Sequence, residues 1–233
     1  MPSMSYQSRS RPHEDNIHEI IKVNLGCGRR ALPCWINYDS SIKIQVMKYR
    51  IVRRLLYFFK IIPKEDLESE YPRNVIRRDL RKGIPLKDNS VDYIFCSHML
   101  EHLFPEDARK LIREAFRVLK PGGWMRIVVP DLKLLATKYV EGELSFFNAK
   151  SKGDLAGKFI EYLRFIDKRP FWKKLLDPYH PHRWMYDLDS LKELLINCGF
   201  RKVERRAFQQ GIVPDINLLD HLPHESLYVE AQK

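Results

Sequence analysis

Four cysteines in 233 residues, with no CxxC pair, are too few and too scattered for a disulfide framework or a zinc ribbon. Cys27, Cys34, Cys96 and Cys198 are therefore expected as reduced thiols. Long apolar runs are also missing. No stretch of about 18 apolar residues free of charge exists, which excludes a spanning helix of that kind. There is no internal repeat and no low-complexity block, so a solenoid is excluded too. The opening MPSMSYQSRSRPHEDN has no apolar signal core. Residues 1–16 read as a disordered tail, and the protein as cytoplasmic. Acids are in deficit: 30 Asp and Glu against 41 Lys and Arg leave a net charge of +11, which favours an anionic partner.

What is present suffices for one hydrophobic core. With 44% hydrophobic residues, 17–233 reads as a single α/β domain carrying insertions at about 42–64 and 132–186. IIKVNLG (20–26), INYD (36–39), NVIRRDL (74–80), VDYIFCS (91–97) and WMRIVVPD (124–131) read as strands. Between the last two, PEDARKLIREAFRVLKPGG (105–123) opens with Pro105, Glu106 and Asp107, which suit a helix start. Ala108, Leu111, Ile112, Ala115, Phe116 and Leu119 recur at helical spacing, and Pro121-Gly122-Gly123 is read as the stop. Strand, helix, strand implies a parallel pair. DLDSLKELLINCGF (187–200) is a second helix with Gly199 at its C′ position. FRKVERRAF (200–208) and ESLYVEAQK (225–233) lie too close for a crossover helix, so an antiparallel hairpin edge is expected.

VNLGCGRR (23–30) follows the first strand, and Gly26 and Gly28 permit a tight turn with close approach of a ligand. Gly26-Cys-Gly28-Arg-Arg-Ala31 satisfies the dinucleotide pattern GxGxxA. Pro33 opposes the long helix that pattern needs, and the acid Asp39 comes too early for it. Asp39 ends the second strand and Asp79-Leu80 the third. Each acid alone suits a cap or a solvated loop; together with the glycines they line one crevice at the carboxyl edge of the sheet.

On VNLGCG, WINYD, RRDL, DNSVDYIFCSHMLEHL, AFRVLKPGGWMRIVVPD, HRWMYD and LLINCGFRKV, the chain resembles a class I S-adenosylmethionine-dependent methyltransferase of the small type 11 kind, from about residue 21 to 204. The resemblance implies a Rossmann-like, seven-stranded mixed sheet of order 3-2-1-4-5-7-6, with strand 7 antiparallel and helices on both faces. It implies S-adenosyl-L-methionine as cofactor. Gly26, Cys27 and Gly28 would border its methionine part, Asp39 its ribose, and Asp79 and Leu80 its adenine, with His98 facing the methionine end or the acceptor. Asn24 stands where an acid often precedes the glycines. HRWMYD-containing members suggest glycan modification in bacteria.

The acceptor side is read from histidines. A hydroxyl acceptor must lose a proton, and His98, His180 and His182 are the candidate bases. His180-Pro-His182-Arg183-Trp184 gathers two imidazoles, a cation and an indole that a stiff loop would present over a sugar; the alternatives are a packed loop or a metal HxH completed by Asp131 or Glu101. His98-Met-Leu-Glu101-His102 spells H-x-x-E-H, the inverted zinc-peptidase pattern. It spans a strand-to-helix connection, where both histidines cannot share a helical face, so no metal is expected. Residues 42–64 hold seven Lys/Arg and no acid. Lys43, Arg50, Arg53, Arg54 and Lys60 form one arc, with Ile44, Met47, Ile51, Leu55, Phe58 and Ile62 opposite. This amphipathic helix either packs on the sheet or lies on an anionic membrane surface, at the inner face of the membrane. The expected function is methyl transfer to a small-molecule or sugar hydroxyl. Competing readings are a quinone, lipid or nucleic-acid methyltransferase and a non-catalytic cofactor-binding subunit. The chain lacks an Asn/Asp-Pro-Pro-aromatic signature, so nucleic acid is not the expected partner.

Overall fold

The computed structural model describes residues 19–164 and 181–233. Seven strands form one sheet: β1 (Lys22–Leu25), β2 (Ile36–Asp39), β3 (Val75–Arg77), β4 (Val91–Ser97), β5 (Leu119–Pro130), β6 (Arg201–Arg206) and β7 (Ser226–Gln232). Their order is β3-β2-β1-β4-β5-β7-β6, the expected one. β1 to β5 pair in parallel, and β7 runs antiparallel to both β5 and β6. The central strands are covered on both faces, so their apolar runs are continuous rather than alternating. Val23, Leu25, Ile94, Ile127, Val128 and Val129 are all fully buried.

Helices α1 (Ile42–Met47), α2 (Arg50–Phe58) and α3 (Lys64–Glu68) lie between β2 and β3. α4 (Pro105–Val118) joins β4 to β5 and buries Ala108, Leu111, Ile112, Ala115 and Val118 on the sheet. α5 (Leu132–Val140) and α6 (Lys152–Arg164) follow β5. They enclose a second apolar cluster in which Tyr139 stacks on Phe159 with centroids 4.5 Å apart. α7 (Leu188–Asn197) precedes β6, and the four-residue α8 (Ile216–Leu219) sits in the β6–β7 connection.

Three boundaries differ from expectation for local physical reasons. α4 stops at Val118, because Leu119 already pairs with Val91. The residues Lys120-Pro-Gly-Gly123 then form an irregularity inside β5, where the register shifts. Gly123 is needed there, since a Cβ would stand 3.0 Å from the Asp92 carbonyl. The expected single helix over 42–64 breaks at Lys48-Tyr49, where Tyr49 is extended. The β6–β7 connection contains α8, although no helical period marks it. At the other helix end, Gly199 takes φ of +104° as anticipated, and any side chain there would meet the Phe116 ring at 2.9 Å.

The β6–β7 connection is fixed by charge as well as by packing. Arg126 on β5 is fully buried. It donates to Asp220 at 2.9 and 2.5 Å and to Glu230 at 3.3 Å, and to the carbonyls of Ala207 and Gln210. Glu230 also accepts from the amides of Ile212 and Val213. Asp215 accepts from Lys22 at 2.7 Å and Trp35 at 2.9 Å, tying the connection to β1. Removing one partner of such a group leaves buried charge uncompensated. Arg126→Met is therefore expected to lower stability by about 3–5 kcal/mol, read from the urea midpoint at unchanged slope.

Candidate functional site

The carboxyl ends of β1, β2 and β3 lie side by side, with Leu25 paired to Tyr38 and Tyr38 to Ile76. Gly26 and Gly28 have φ of +69° and +52°. The amides of Gly26 and Cys27 donate to the Tyr38 carbonyl, closing the turn onto β2. Gly28 N then donates to Asp39 Oδ2 at 2.8 Å, while Asp39 Oδ1 accepts from Ser41 N at 2.7 Å. A Cβ at Gly28 would meet nothing within 4 Å, so open space adjoins the turn next to the Asp39 carboxylate. A Cβ at Gly26 would stand 2.5 Å from Met99 Cγ. That contact sets the glycine turn directly against the residue after His98. No helix follows the turn, as Pro33 implies. Instead Asn24 donates to the Arg30 carbonyl and Asn37 to those of Leu32 and Trp35, which braces the connection. Asn24 is thus a structural brace here. Cys27 is buried against Ile44 and Val75, and burial, reinforced by the Asp39 charge, pushes its thiol up to about 12.

Asp79 follows β3 and caps a 3₁₀ turn over Leu80–Lys82, accepting from Arg81 N. The Arg81 guanidinium also donates to both of its oxygens at 2.9 Å, and this pairing holds the carboxyl below its usual range. Of the two roles the sequence allows Asp79, the cap is formed. Leu80 is buried in the main core cluster.

β4 ends at Ser97, and His98 turns the chain with φ of +47°. A histidine in the left-handed region is uncommon and marks a position held by its surroundings. His98 N donates to the Val128 carbonyl at 2.9 Å. Its Nε2 lies 3.0 Å from Ser226 Oγ, and its Nδ1 3.3 Å from Glu101 Oε1. A 3₁₀ turn over Leu100–His102 carries the rest of the motif, so the two histidines of H-x-x-E-H share no α-helical face. Glu101 is 0% exposed, and among the described residues neither carboxylate oxygen has a hydrogen bond, the His98 contact being an ion-pair distance without hydrogen-bond alignment.

The segment HRWMYD crosses this edge. The amides of Arg183 and Trp184 both donate to the Glu101 carbonyl, at 2.8 and 3.1 Å. Tyr186 bridges Asp131 in parallel. His182 Nδ1 lies 3.1 Å from the Leu163 carbonyl and its ring 5.1 Å from that of His102. Burial lowers the His182 pKa. Asp131 is spent as the cap of α5 and as a partner of Arg205. His180 lies outside the described residues.

The structure therefore gathers His98 and His182 around Glu101, with Gly26 adjoining through Met99, and sets Asp39 and Asp79 along the same edge. The sequence offers Glu101 only as a residue that could complete a metal HxH, and points to neither Ser226 nor His221. Ser226 opens β7. His221 comes from the β6–β7 connection, its ring 5.0 Å from that of His98 and its pKa lowered mainly by burial. Neither belongs to a motif. The only available signal was their position beside the hairpin strand that returns next to β5.

Residues 23–127 match a family model described as a methyltransferase domain. Among curated proteins, a probable S-adenosylmethionine-dependent methyltransferase of Mycolicibacterium smegmatis is 37% identical over 65 residues, 28% of this chain and 24% of the relative. The ubiquinone/menaquinone biosynthesis C-methyltransferase UbiE of Pseudomonas putida is 28% identical over 141 residues, 59% of this chain and 48% of that protein. The chain thus spans about half or less of the length of these curated relatives. Among solved structures, a SAM-dependent methyltransferase from Archaeoglobus fulgidus aligns with a TM-score of 0.47 at 17% identity, over 93% of this chain and 87% of that one.

The two glycines should respond differently to substitution. Each needs a positive φ, which costs a side chain roughly 1–2 kcal/mol. Gly26→Ala also drives a methyl into Met99, so its melting temperature should fall further than that of Gly28→Ala in parallel thermal scans.

Proposed function

We propose that the protein is a class I S-adenosylmethionine-dependent methyltransferase, in keeping with the methyltransferase-domain match, and that it moves a methyl group to a hydroxyl of a small molecule or sugar at the carboxyl edge of β4. The family implies S-adenosyl-L-methionine as cofactor. The fit rests on the open space beside Gly28 and the Asp39 carboxylate that borders it. Asp39 would hold the ribose hydroxyls, Gly26, Cys27 and Gly28 would line the methionine part, and Asp79 and Leu80 would flank the adenine. Bound there, the cofactor supplies an electrophilic methyl on a sulfonium.

The observation that carries the acceptor reading is His98. Its Nδ1 faces the buried Glu101 carboxylate, which favours the proton on Nδ1 and leaves Nε2 as the basic atom. Nε2 is held by Ser226 Oγ and would take the hydroxyl proton of an acceptor. Trp184, 49% exposed, and Arg183, stacked 4.4 Å over the Phe104 ring, offer a flat, partly polar face of the kind that suits a sugar. The UbiE relatives are C-methyltransferases by name, and a quinol ring carbon is the competing acceptor.

A second reading concerns the surface around α2. No residue of α2 is buried. Ile51 and Phe58 are 71% and 77% exposed, and Ile42, Val46, Tyr49, Leu55, Tyr57 and Phe59 are exposed with them. Only Ile44 and Met47 of the apolar stripe pack inward, both from α1. Arg50, Arg54 and Lys60 are exposed alongside. Apolar rings ringed by cations suit the interface of an anionic bilayer. We assign this surface to peripheral membrane contact, where a lipid-linked acceptor would be presented. Among the described residues, no helix is long and apolar enough to cross a membrane.

Calorimetry with S-adenosylmethionine tests the cofactor assignment. Asp39→Ala removes a charged acceptor worth about 1.5–3 kcal/mol, so affinity should fall by roughly ten- to a hundredfold; unchanged affinity sinks the assignment. His98→Gln should keep that affinity yet slow S-adenosylhomocysteine release by about 10²–10⁴-fold over a panel of sugars and quinols. For the surface, co-sedimentation with phosphatidylglycerol vesicles should pellet the protein at low salt and release it as salt rises. Phe58→Glu with Phe59→Glu should abolish pelleting. A protein that stays in the supernatant at low salt disposes of the membrane reading.

A further inference from the structure

The carboxyl of Glu101 lacks the hydrogen-bonded compensation that a buried acid ordinarily has. Glu101 is completely buried, and among the described residues no hydrogen bond reaches either oxygen. A carboxylate taken out of water costs several kcal/mol unless charge or donors replace the water. Three imidazoles lie near it: His98, with Nδ1 3.3 Å from Oε1, and the rings of His102 and His182. One ligand atom from each of Glu101, His102 and His182 falls within 4.8 Å of the other two.

We infer that Glu101, His102 and His182 form a binding site for a single divalent first-row cation, Zn(II) in the first instance. Three independent features carry this. First, the tautomers are set correctly. His102 Nδ1 lies 3.4 Å from the Pro181 carbonyl and His182 Nδ1 3.1 Å from that of Leu163. A carbonyl only accepts, so the protons sit on Nδ1 and the lone pairs on Nε2, the arrangement a metal-ligating histidine takes when a backbone oxygen orients it. Second, the donor set is right: two neutral imidazoles and one carboxylate match borderline cations such as zinc, and leave further coordination positions open. Third, the two ligand-bearing segments are already clamped, because the Arg183 and Trp184 amides hold the Glu101 carbonyl. An ion would neutralise the buried carboxylate and pin residues 181–184 to the end of β4.

The H-x-x-E-H string thus contributes an acid and one histidine to a site its own helical pattern does not describe. The third ligand arrives from HRWMYD, and His98 stays outside it. The inference stands on these groups alone and is independent of the methyl-transfer reading.

The test uses the full chain stripped with a chelator and titrated with Co(II), a spectroscopic stand-in for zinc. A single equivalent should develop visible d–d absorption, Zn(II) should displace it, and zinc should raise the melting temperature. His102→Gln and His182→Gln should each lower affinity by at least about 100-fold, since losing even an outer partner of a ligand costs up to that much. Glu101→Gln should do the same, with circular dichroism of the metal-free variant verifying its fold. His224→Gln, at an exposed residue that is not part of the cluster, should bind as the parent does. Absence of Co(II) absorption in the parent, or full affinity retained by both His102→Gln and His182→Gln, overturns the inference.

Discussion

The buried carboxylate of Glu101 is the constraint around which the carboxyl edge of β4 is arranged. Its side chain is fully buried and, among the described residues, accepts no aligned hydrogen bond, while its carbonyl accepts two amides from the segment 183–184. A charge in that position organises its neighbours by what it needs. His98 faces it with Nδ1, which orients Nε2 toward Ser226. His102 and His182 close the other side, and Tyr186 lies near enough for the carboxylate to raise its phenol further, after the larger effect of burial. The tight turn at His98, with a positive φ that histidine rarely takes, is the backbone's share of the same arrangement.

That edge depends in turn on a distant ion pair. Ser226 and His221 reach His98 only because the β6–β7 connection folds back onto the sheet. Arg126 holds it there by bridging Asp220 and Glu230 inside the protein, while Asp215 ties the same connection to Lys22 and Trp35. Fully buried ion pairs of this kind contribute less to net stability than to specifying one arrangement, because the unpaired alternatives carry the whole desolvation cost. Here the specified arrangement is one in which residues from β4 and from the β6–β7 hairpin meet.

Much of this was legible in the sequence, and unevenly so. Strand and helix periods, with the short spacing between 200–208 and 225–233, were enough for the sheet and its antiparallel edge. Pro105 and Gly199 marked helix ends by backbone chemistry, which needs no tertiary context. Pro121-Gly122-Gly123 misled for the converse reason. Glycines that read as a stop signal serve inside a strand, Gly122 for its positive φ and Gly123 for its close approach to the Asp92 carbonyl. The helix over 42–64 was read as continuous because its period is unbroken, yet Tyr49 is extended and α2 carries its apolar face into solvent. Periodicity defines a face; it does not say what, if anything, covers it.

The two halves of the site differ in the same way. The half proposed to hold the cofactor is made by backbone: glycines with positive φ, a turn closed onto the Tyr38 carbonyl, an acid ending the next strand. Backbone requirements restrict residue type at fixed spacing, so they show as motifs. The half proposed for the acceptor is made by side chains from the end of β4, the 181–184 segment and the β6–β7 connection, whose common property is a meeting place. No local spacing rule links His98, Glu101, His182, His221 and Ser226, and even the H-x-x-E-H string acquires meaning only after residues 181–184 are laid across it. Acceptor specificity in such a fold can therefore change by altering connections while the glycine turn and the sheet beneath it stay the same.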